Sequence, residues 1–249
     1  MLTNIKGTKI LFPSALEPSA LCLVPTINIK TNLLRAQQTW RLIMSYNEYK
    51  DYSKTQLEIF FQITINLSNI FNASQSNKET KAYIEFQQRI DSLAARTRIA
   101  HTNEATRLGL LVSPILIEAS IIYNLGLFFE QPVDLPKEET PDLPHQLNGD
   151  WDGALTLDVL DFSPPIISVV EVKPNKLSDG LGQCIAEMYA TRRKFEQHKA
   201  YGIITDGGVW EFLVLENEKV LIHSGNCHIS NVTEIIENIG YIAQEFSNT

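Results

Sequence analysis

Gly153-Ala-Leu-Thr-Leu-Asp-Val159, Asp161-Phe-Ser-Pro-Pro165 and Ile166-Ile-Ser-Val-Val-Glu-Val172 are the residues that decide how this chain folds. The outer two stretches are rich in apolar and β-branched residues, and the middle one carries turn formers, so together they predict a β-hairpin. Folding the hairpin about Phe162 sets Glu171 opposite Gly153, and Asp152 opposite Lys173 to within about one residue of register. Glu171 and Lys173 lie two apart and so share a face of their strand. Two carboxylates and an ammonium then meet at one end of the hairpin. Such a group can hold a divalent cation through oxygen ligands and keep a lysine beside it.

Upstream, Ser53 with Gln56 has the spacing of a capping box and predicts a helix running to about Asn72. Residues 72–78 read as a polar linker, and Tyr83, Phe86, Ile90 and Leu93 give a second helix its apolar stripe. Residues 1–30 carry short β-like runs broken by Pro13, Pro18 and Pro25 and fit no element type. Thr102 or Asn103 can cap a third helix, with Glu104 in its first turn, where a carboxylate suits the helix dipole. Pro114 should kink or restart that helix. The apolar stretch from Leu108 to Phe129 contains Pro114, Glu118 and Asn124 and reads as a buried helix rather than a membrane span. Residues 130–148, rich in Pro, Asp and Glu, read as a loop with one edge strand.

After the hairpin, Ser178 or Asp179 opens a helix to about His198. Its apolar face is Leu181, Cys184, Ile185 and Met188, and Gln183, Glu187, Ala190 and Lys194 form a neighbouring face. Strands over 201–205, 209–215 and 220–222 follow, and then an amphipathic helix from about Val232 to Phe246. From Glu104 onward the order is α-β-β-β-α-β-β-β-α. It predicts an α/β (α+β) fold, a mixed central β-sheet flanked by helices over 100–249, preceded by a mainly helical region, 1–99, of unassigned role.

Apolar residues make up 44% of the 249-residue chain and charged ones 20%, as in ordinary globular proteins. Cys22, Cys184 and Cys227 lack disulfide or metal-ligand spacing, which points to a reducing cytoplasm, and the N-terminus lacks the apolar core of a signal peptide. A net charge of −8 argues against coating of nucleic acid by bulk electrostatics. Local contact stays open, because six Lys/Arg outnumber four Asp/Glu between Glu171 and Ala200. His101, His145, His198, His223 and His228 show no ligand spacing, and Gly207-Gly208 is a turn rather than a phosphate loop.

Asp152, then Glu171-Val172-Lys173, then Gln183 on the next helix together resemble the PD-(D/E)XK, or restriction-endonuclease-like, nuclease superfamily. Asn103-Glu-Ala-Thr-Arg107 with Leu111-Val-Ser-Pro-Ile-Leu116 is similar to the helix that opens the nuclease domain of type I restriction-enzyme motor subunits. Ala200-Tyr-Gly-Ile-Ile-Thr-Asp-Gly-Gly-Val-Trp210 resembles the strand-turn-strand that follows the glutamine helix in those enzymes. The likeness spans residues 100–225. It departs from the family pattern in three places: no proline directly precedes Asp152, Asp150 shares its face as a rival, and Glu187 stands where such helices often carry tyrosine.

The resemblance implies a restriction-endonuclease-like core that hydrolyses phosphodiester bonds of nucleic acid, with DNA the expected target. Mg²⁺ (or Mn²⁺) would be held by Asp152, Glu171 and the Val172 backbone carbonyl, with Glu104 as a further carboxylate at the edge of the site. Lys173 would position the attacking water or stabilise charge on the phosphorane. Beside two carboxylates its pKa should stay high, which favours electrostatic help over a general-base role. Gln183 would orient water or touch a phosphate, and Arg192, Arg193 and Lys194 would grip phosphates. A homodimer is compatible with this picture, and no membrane partner is expected. Each residue also has a plain structural role open to it. Glu171 and Lys173 can be the charged end of a strand in solvent, Gln183 a half-exposed polar residue, Glu104 a dipole partner, and the basic trio a favourable helix C-terminus. The corresponding alternative function is a catalytically inactive module of the same fold that binds nucleic acid or a protein partner.

Overall fold

The computed structural model describes residues 46–71, 80–97, 102–174 and 176–247. All of them belong to one compact unit, Gln38–Thr249. The hairpin lies at its centre. Strands β3 (Asp150–Thr156) and β4 (Ile166–Val172) pair antiparallel, Gly153 opposite Val170 and Leu155 opposite Ser168, one residue from the expected register. All seven residues of β4 are buried, because the strand runs mid-sheet. β3 flanks it on one side, and β5 (Lys199–Thr205) pairs with it in parallel on the other. A run apolar on both faces is the composition such a position demands. Glu171 is therefore a carboxyl embedded in a fully buried strand.

β5 continues antiparallel into β6 (Val209–Glu216) and β7 (Lys219–His223), with turns where Asp206-Gly-Gly208 and Glu216-Asn-Glu218 predict them. Gly207 at φ +85° occupies the left-handed region that glycine tolerates best. The eight-stranded sheet is completed by β1 (Thr64–Ser68), β2 (Gly126–Pro132) and the short β8 (Cys227–His228). Its order is β1-β7-β6-β5-β4-β3-β2, with β8 paired to β6. A mixed sheet flanked by helices is what the element order predicts.

Two apolar layers enclose the sheet. On one side, α4 (Leu181–Lys194), α1 (Lys54–Phe61) and the 3-10 turn Tyr46–Asp51 bury Tyr49, Leu57, Ile185 and Met188 against Ala154, Val169 and Ile204. On the other side lie α2 (Lys81–Thr97), α3 (Glu104–Tyr123) and α5 (Val232–Ser247). They bury Ile90, Ile115, Leu116, Ile235 and Ile239 against Val170, Val172, Ile203 and Phe212. Trp210 and Phe212 are core residues, as expected.

Several boundaries differ from expectation. The capping box of Ser53 and Gln56 is present, but its helix stops at Phe61 and not near Asn72. Gln62 turns left-handed at φ 53° and donates its N–H to the Glu58 carbonyl. Ile63-Thr-Ile-Asn-Leu67 alternates as a strand does, and Thr64–Ser68 pairs in parallel with β7. Residues upstream of 100 thus contribute a strand to the same sheet, so a domain boundary at residues 99–100 does not divide the described residues. Residues 1–45, the linker 72–78 and His101 lie outside them.

The apolar stretch from Leu108 also breaks into two elements. Asn103 caps α3, its Oδ1 accepting the Thr106 N–H at 2.9 Å. A wide π turn over Leu108–Val112 takes up the missing donor of Pro114. Asn124, left-handed at φ 54°, ends the helix, and Gly126–Phe129 opens strand β2. Among the described residues, α3 is the one helix long and apolar enough to cross a membrane, with 33% of its most apolar window buried. Its inner residues Leu111, Val112, Ile115 and Ala119 pack into the core.

Candidate functional site

Asp152, Glu171 and Lys173 share the sheet face that α4 covers. Where the β3–β4 ladder ends, Asp152 Oδ2 accepts the Val172 N–H at 2.7 Å, so this carboxylate takes over the pairing that a backbone carbonyl would supply. Lys173 N–H donates to the Thr205 carbonyl at 2.8 Å, which holds the residue in line with β5. Gly180 lets the start of α4 come down on this corner, because a Cβ there would stand 2.8 Å from Ile204 Cγ2 and 3.1 Å from Lys173 Cγ. The side chains then form a chain of contacts. Lys173 Nζ makes an ion pair with Glu171 Oε1 and donates to Gln183 Oε1 at 3.1 Å. Gln183 Nε2 donates in turn to Glu187 Oε1 at 3.2 Å.

This corner forms the floor of a cleft of about 620 Å³ lined by Glu104, Asp150, Asp152, Lys173, Asp179 and Gln183. Tyr46, Asn47, Lys50 and Asp51 close its near wall. Arg107 Nη1 donates to the Asp206 carbonyl at 3.0 Å, which ties the first turn of α3, and with it Glu104, to the β5–β6 turn beside the site. Asp150, the rival on the same face of β3, is exposed at the rim, whereas Asp152 is largely withdrawn from solvent.

The electrostatics follow from burial. Loss of solvent raises the Asp152 carboxyl to about 6. The Val172 N–H opposes the shift and the Glu104 charge adds to it. Burial, and then the Asp152 charge, raise Glu171 to about 8 despite the ammonium beside it. Glu187 is pushed well above the carboxylate range by burial and by the charges of Glu171 and Asp152. For Lys173, burial favours the neutral amine, but the charges of Glu171, Glu104 and Asp152 together outweigh it and hold the pKa above the ordinary value.

Glu171 pairs with the Lys173 ammonium and stands within hydrogen-bond reach of the Glu187 carboxyl, so a proton shared between the two acids can satisfy both; without that proton Glu171 Oε2 and Glu187 Oε2 have no donor among the described residues. Buried carboxyl oxygens in that state are costly unless a proton or a cation neutralises them. Among the described residues no three His, Cys, Asp or Glu side chains form a ready cage for a metal ion. The hard oxygens that do converge belong to Asp152 and Glu171. The Glu171 carboxyl, set beside Asp152 and facing only one ammonium and another acid, is the observation by which the corner fits a divalent cation.

The structure does not bring the basic trio to this cleft. Arg192, Arg193 and Lys194 end α4, nine to eleven residues past Gln183, or about 15 Å along the helix axis at ~1.5 Å per residue. Arg192 and Arg193 line a separate cavity of about 380 Å³ with Phe60, Phe61 and Tyr189. Arg193 donates to the Tyr189 hydroxyl at 3.2 Å and lies over its ring, and Lys194 Nζ donates to the Asp134 carbonyl at 2.9 Å. Sequence reasoning missed two contributors, the turn Tyr46–Asp51 and Glu187. The signal for Glu187 was its spacing of four from Gln183 on one helix face. Compared with known proteins, the sequence matches no family model and no curated protein.

Proposed function

We propose that this chain is a magnesium-dependent nuclease hydrolysing phosphodiester bonds of nucleic acid, with DNA the expected substrate, on a restriction-endonuclease-like core. One observation carries the proposal. Asp152, Lys173 and Gln183, drawn from two strands and a helix, line one corner of a cleft, with the Glu171 carboxyl buried directly beneath them against Lys173. Asp152, Glu171 and the Val172 carbonyl would hold Mg²⁺ or Mn²⁺, with Glu104 at the edge. The cation supplies a Lewis acid for the phosphoryl oxygen and acidifies water. Lys173, held charged by its carboxylate neighbours, places an ammonium where negative charge builds on the phosphorane. Gln183 accepts from that ammonium and keeps it at the corner.

A plasmid-nicking assay tests the proposal. Wild type should cut with Mg²⁺ or Mn²⁺ and stop with chelator. Lys173→Ala should lose about 10²–10³-fold in rate, the usual worth of a positioned electrostatic group. A purified wild type that cuts neither DNA nor RNA with either cation overturns it.

A second function is favoured by the acidity of the cleft. Asp51, Glu104, Asp150, Asp152 and Asp179 outnumber Lys50 and Lys173 along its lining, a field that repels phosphate when no cation is bound. It is the inactive module of the same fold. Equal, weak Mg²⁺ binding by wild type and Asp152→Ala in calorimetry would favour the module.

A further inference from the structure

Lysine ammonium can only donate, so the amide of Gln183 must turn its oxygen toward Lys173 Nζ, 3.1 Å away. The same orientation sends the amide nitrogen along α4 to Glu187 Oε1, at 3.2 Å. Lys173, Gln183 and Glu187 are all buried, so little water is at hand to replace a missing partner. With an apolar side chain at 187 the Gln183 NH₂ would be stranded. Flipping the amide would not help, because two sets of donors would then face each other at Lys173.

We infer that Glu187 is a positioning residue: it fixes the Gln183 amide so that the amide oxygen holds the Lys173 ammonium at the cleft floor. Glu187 is fully buried and does not line the cleft, so it acts through Gln183 and touches no substrate. The inference rests on the proposed catalytic part of Lys173. It assigns a role to the acid four residues past Gln183 on the same helix.

The test uses the full chain with Glu187→Leu, Glu187→Gln, Gln183→Leu and the Glu187→Leu/Gln183→Leu double variant. Steady-state nicking in Mg²⁺ is combined with side-chain ¹H–¹⁵N NMR of the Gln183 amide and the Lys173 ammonium. Glu187→Leu should lower kcat by about 10–100-fold, as loss of an outer-shell partner does, and leave KM unchanged. Glu187→Gln still offers a carbonyl acceptor and should keep most of the rate. The double variant should be no worse than Gln183→Leu alone, because the two residues act in series. Glu187→Leu strands the buried Gln183 NH₂ and should melt earlier than wild type, whereas the double variant, which replaces both partners by apolar groups, should recover most of that loss. If Glu187→Leu does not fold, Glu187→Met replaces it. Wild-type kcat in the leucine or methionine variant overturns the inference, as does a double variant whose loss is the product of the single losses. If the wild type cuts no nucleic acid, the nuclease proposal alone falls and the NMR arm decides. Loss of the hydrogen-bonded Gln183 amide signal together with a changed Lys173 ammonium signal supports the inference. An unchanged ammonium signal overturns it.

Discussion

Metal-free protein should lose stability as pH rises, and Asp152→Asn should remove a measurable part of that loss. Burial raises Asp152 from 3.8 to about 6 in the folded chain. A carboxyl whose folded pKa lies above its unfolded one binds more protons folded than unfolded between the two values. Stability is therefore full below the unfolded value and falls as pH rises through the folded one. For Asp152 the window runs from about pH 4 to somewhat above pH 6. At 1.36 kcal/mol per pH unit, the full cost is about 3 kcal/mol. In a domain of this size that corresponds to about 6–12 °C in Tm. Asparagine keeps an acceptor for the Val172 N–H and does not titrate, so comparing the variants isolates Asp152 together with the part of the Glu171 and Glu187 shifts that its charge causes. Circular-dichroism melts in chelator from pH 4 to 8 should show wild type losing about 6–12 °C more than Asp152→Asn. Glu171→Gln should flatten the curve further toward pH 8, because Glu171 is raised to about 8. Parallel wild-type and Asp152→Asn curves would refute the buried-carboxyl account of the site.

The remaining predictions touch other parts of the molecule. Mg²⁺ at about a hundred times its Kd should stabilise wild type by ~2.7 kcal/mol and leave Asp152→Ala unmoved in the same melts; equal shifts would remove Asp152 from the ligand set. Gly182→Ala would place a Cβ 2.0 Å from the Tyr49 carbonyl oxygen, so the turn Tyr46–Asp51 must shift off α4. Urea unfolding should show a loss of about 1–3 kcal/mol, and an unchanged midpoint would contradict that packing. Arg192→Ala/Arg193→Ala should leave nicking rates unchanged, since both side chains face the cavity beside Tyr189; a large fall in rate would place nucleic acid across that end of α4.

The hairpin, the element order from Glu104 onward and the shared face of Glu171 and Lys173 were legible in the sequence alone, because each rests on local physics; the face of Asp152 was not, because with Glu171 opposite Gly153 it would point away from Glu171, and the observed register, one residue on, sets the two carboxyls side by side. Strand alternation has a period of two, Asp161-Phe-Ser-Pro-Pro165 carries its own turn chemistry, and residues two apart on a strand must point the same way. The capping box at Ser53 was legible for the same reason, but the end of its helix was not. Whether Ile63-Thr-Ile-Asn-Leu67 continues a helix or becomes a strand depends on β7, more than 150 residues away in sequence, offering a parallel edge. The distance of Arg192, Arg193 and Lys194 from the cleft was decided by how α4 lies on the sheet. So was the burial of Glu187 behind Gln183: a sequence shows that two residues share a helix face, but only packing decides whether that face meets solvent or a second carboxyl. Local propensity is written in neighbouring residues, whereas burial and charge coupling belong to whatever distant segment the completed fold lays against them.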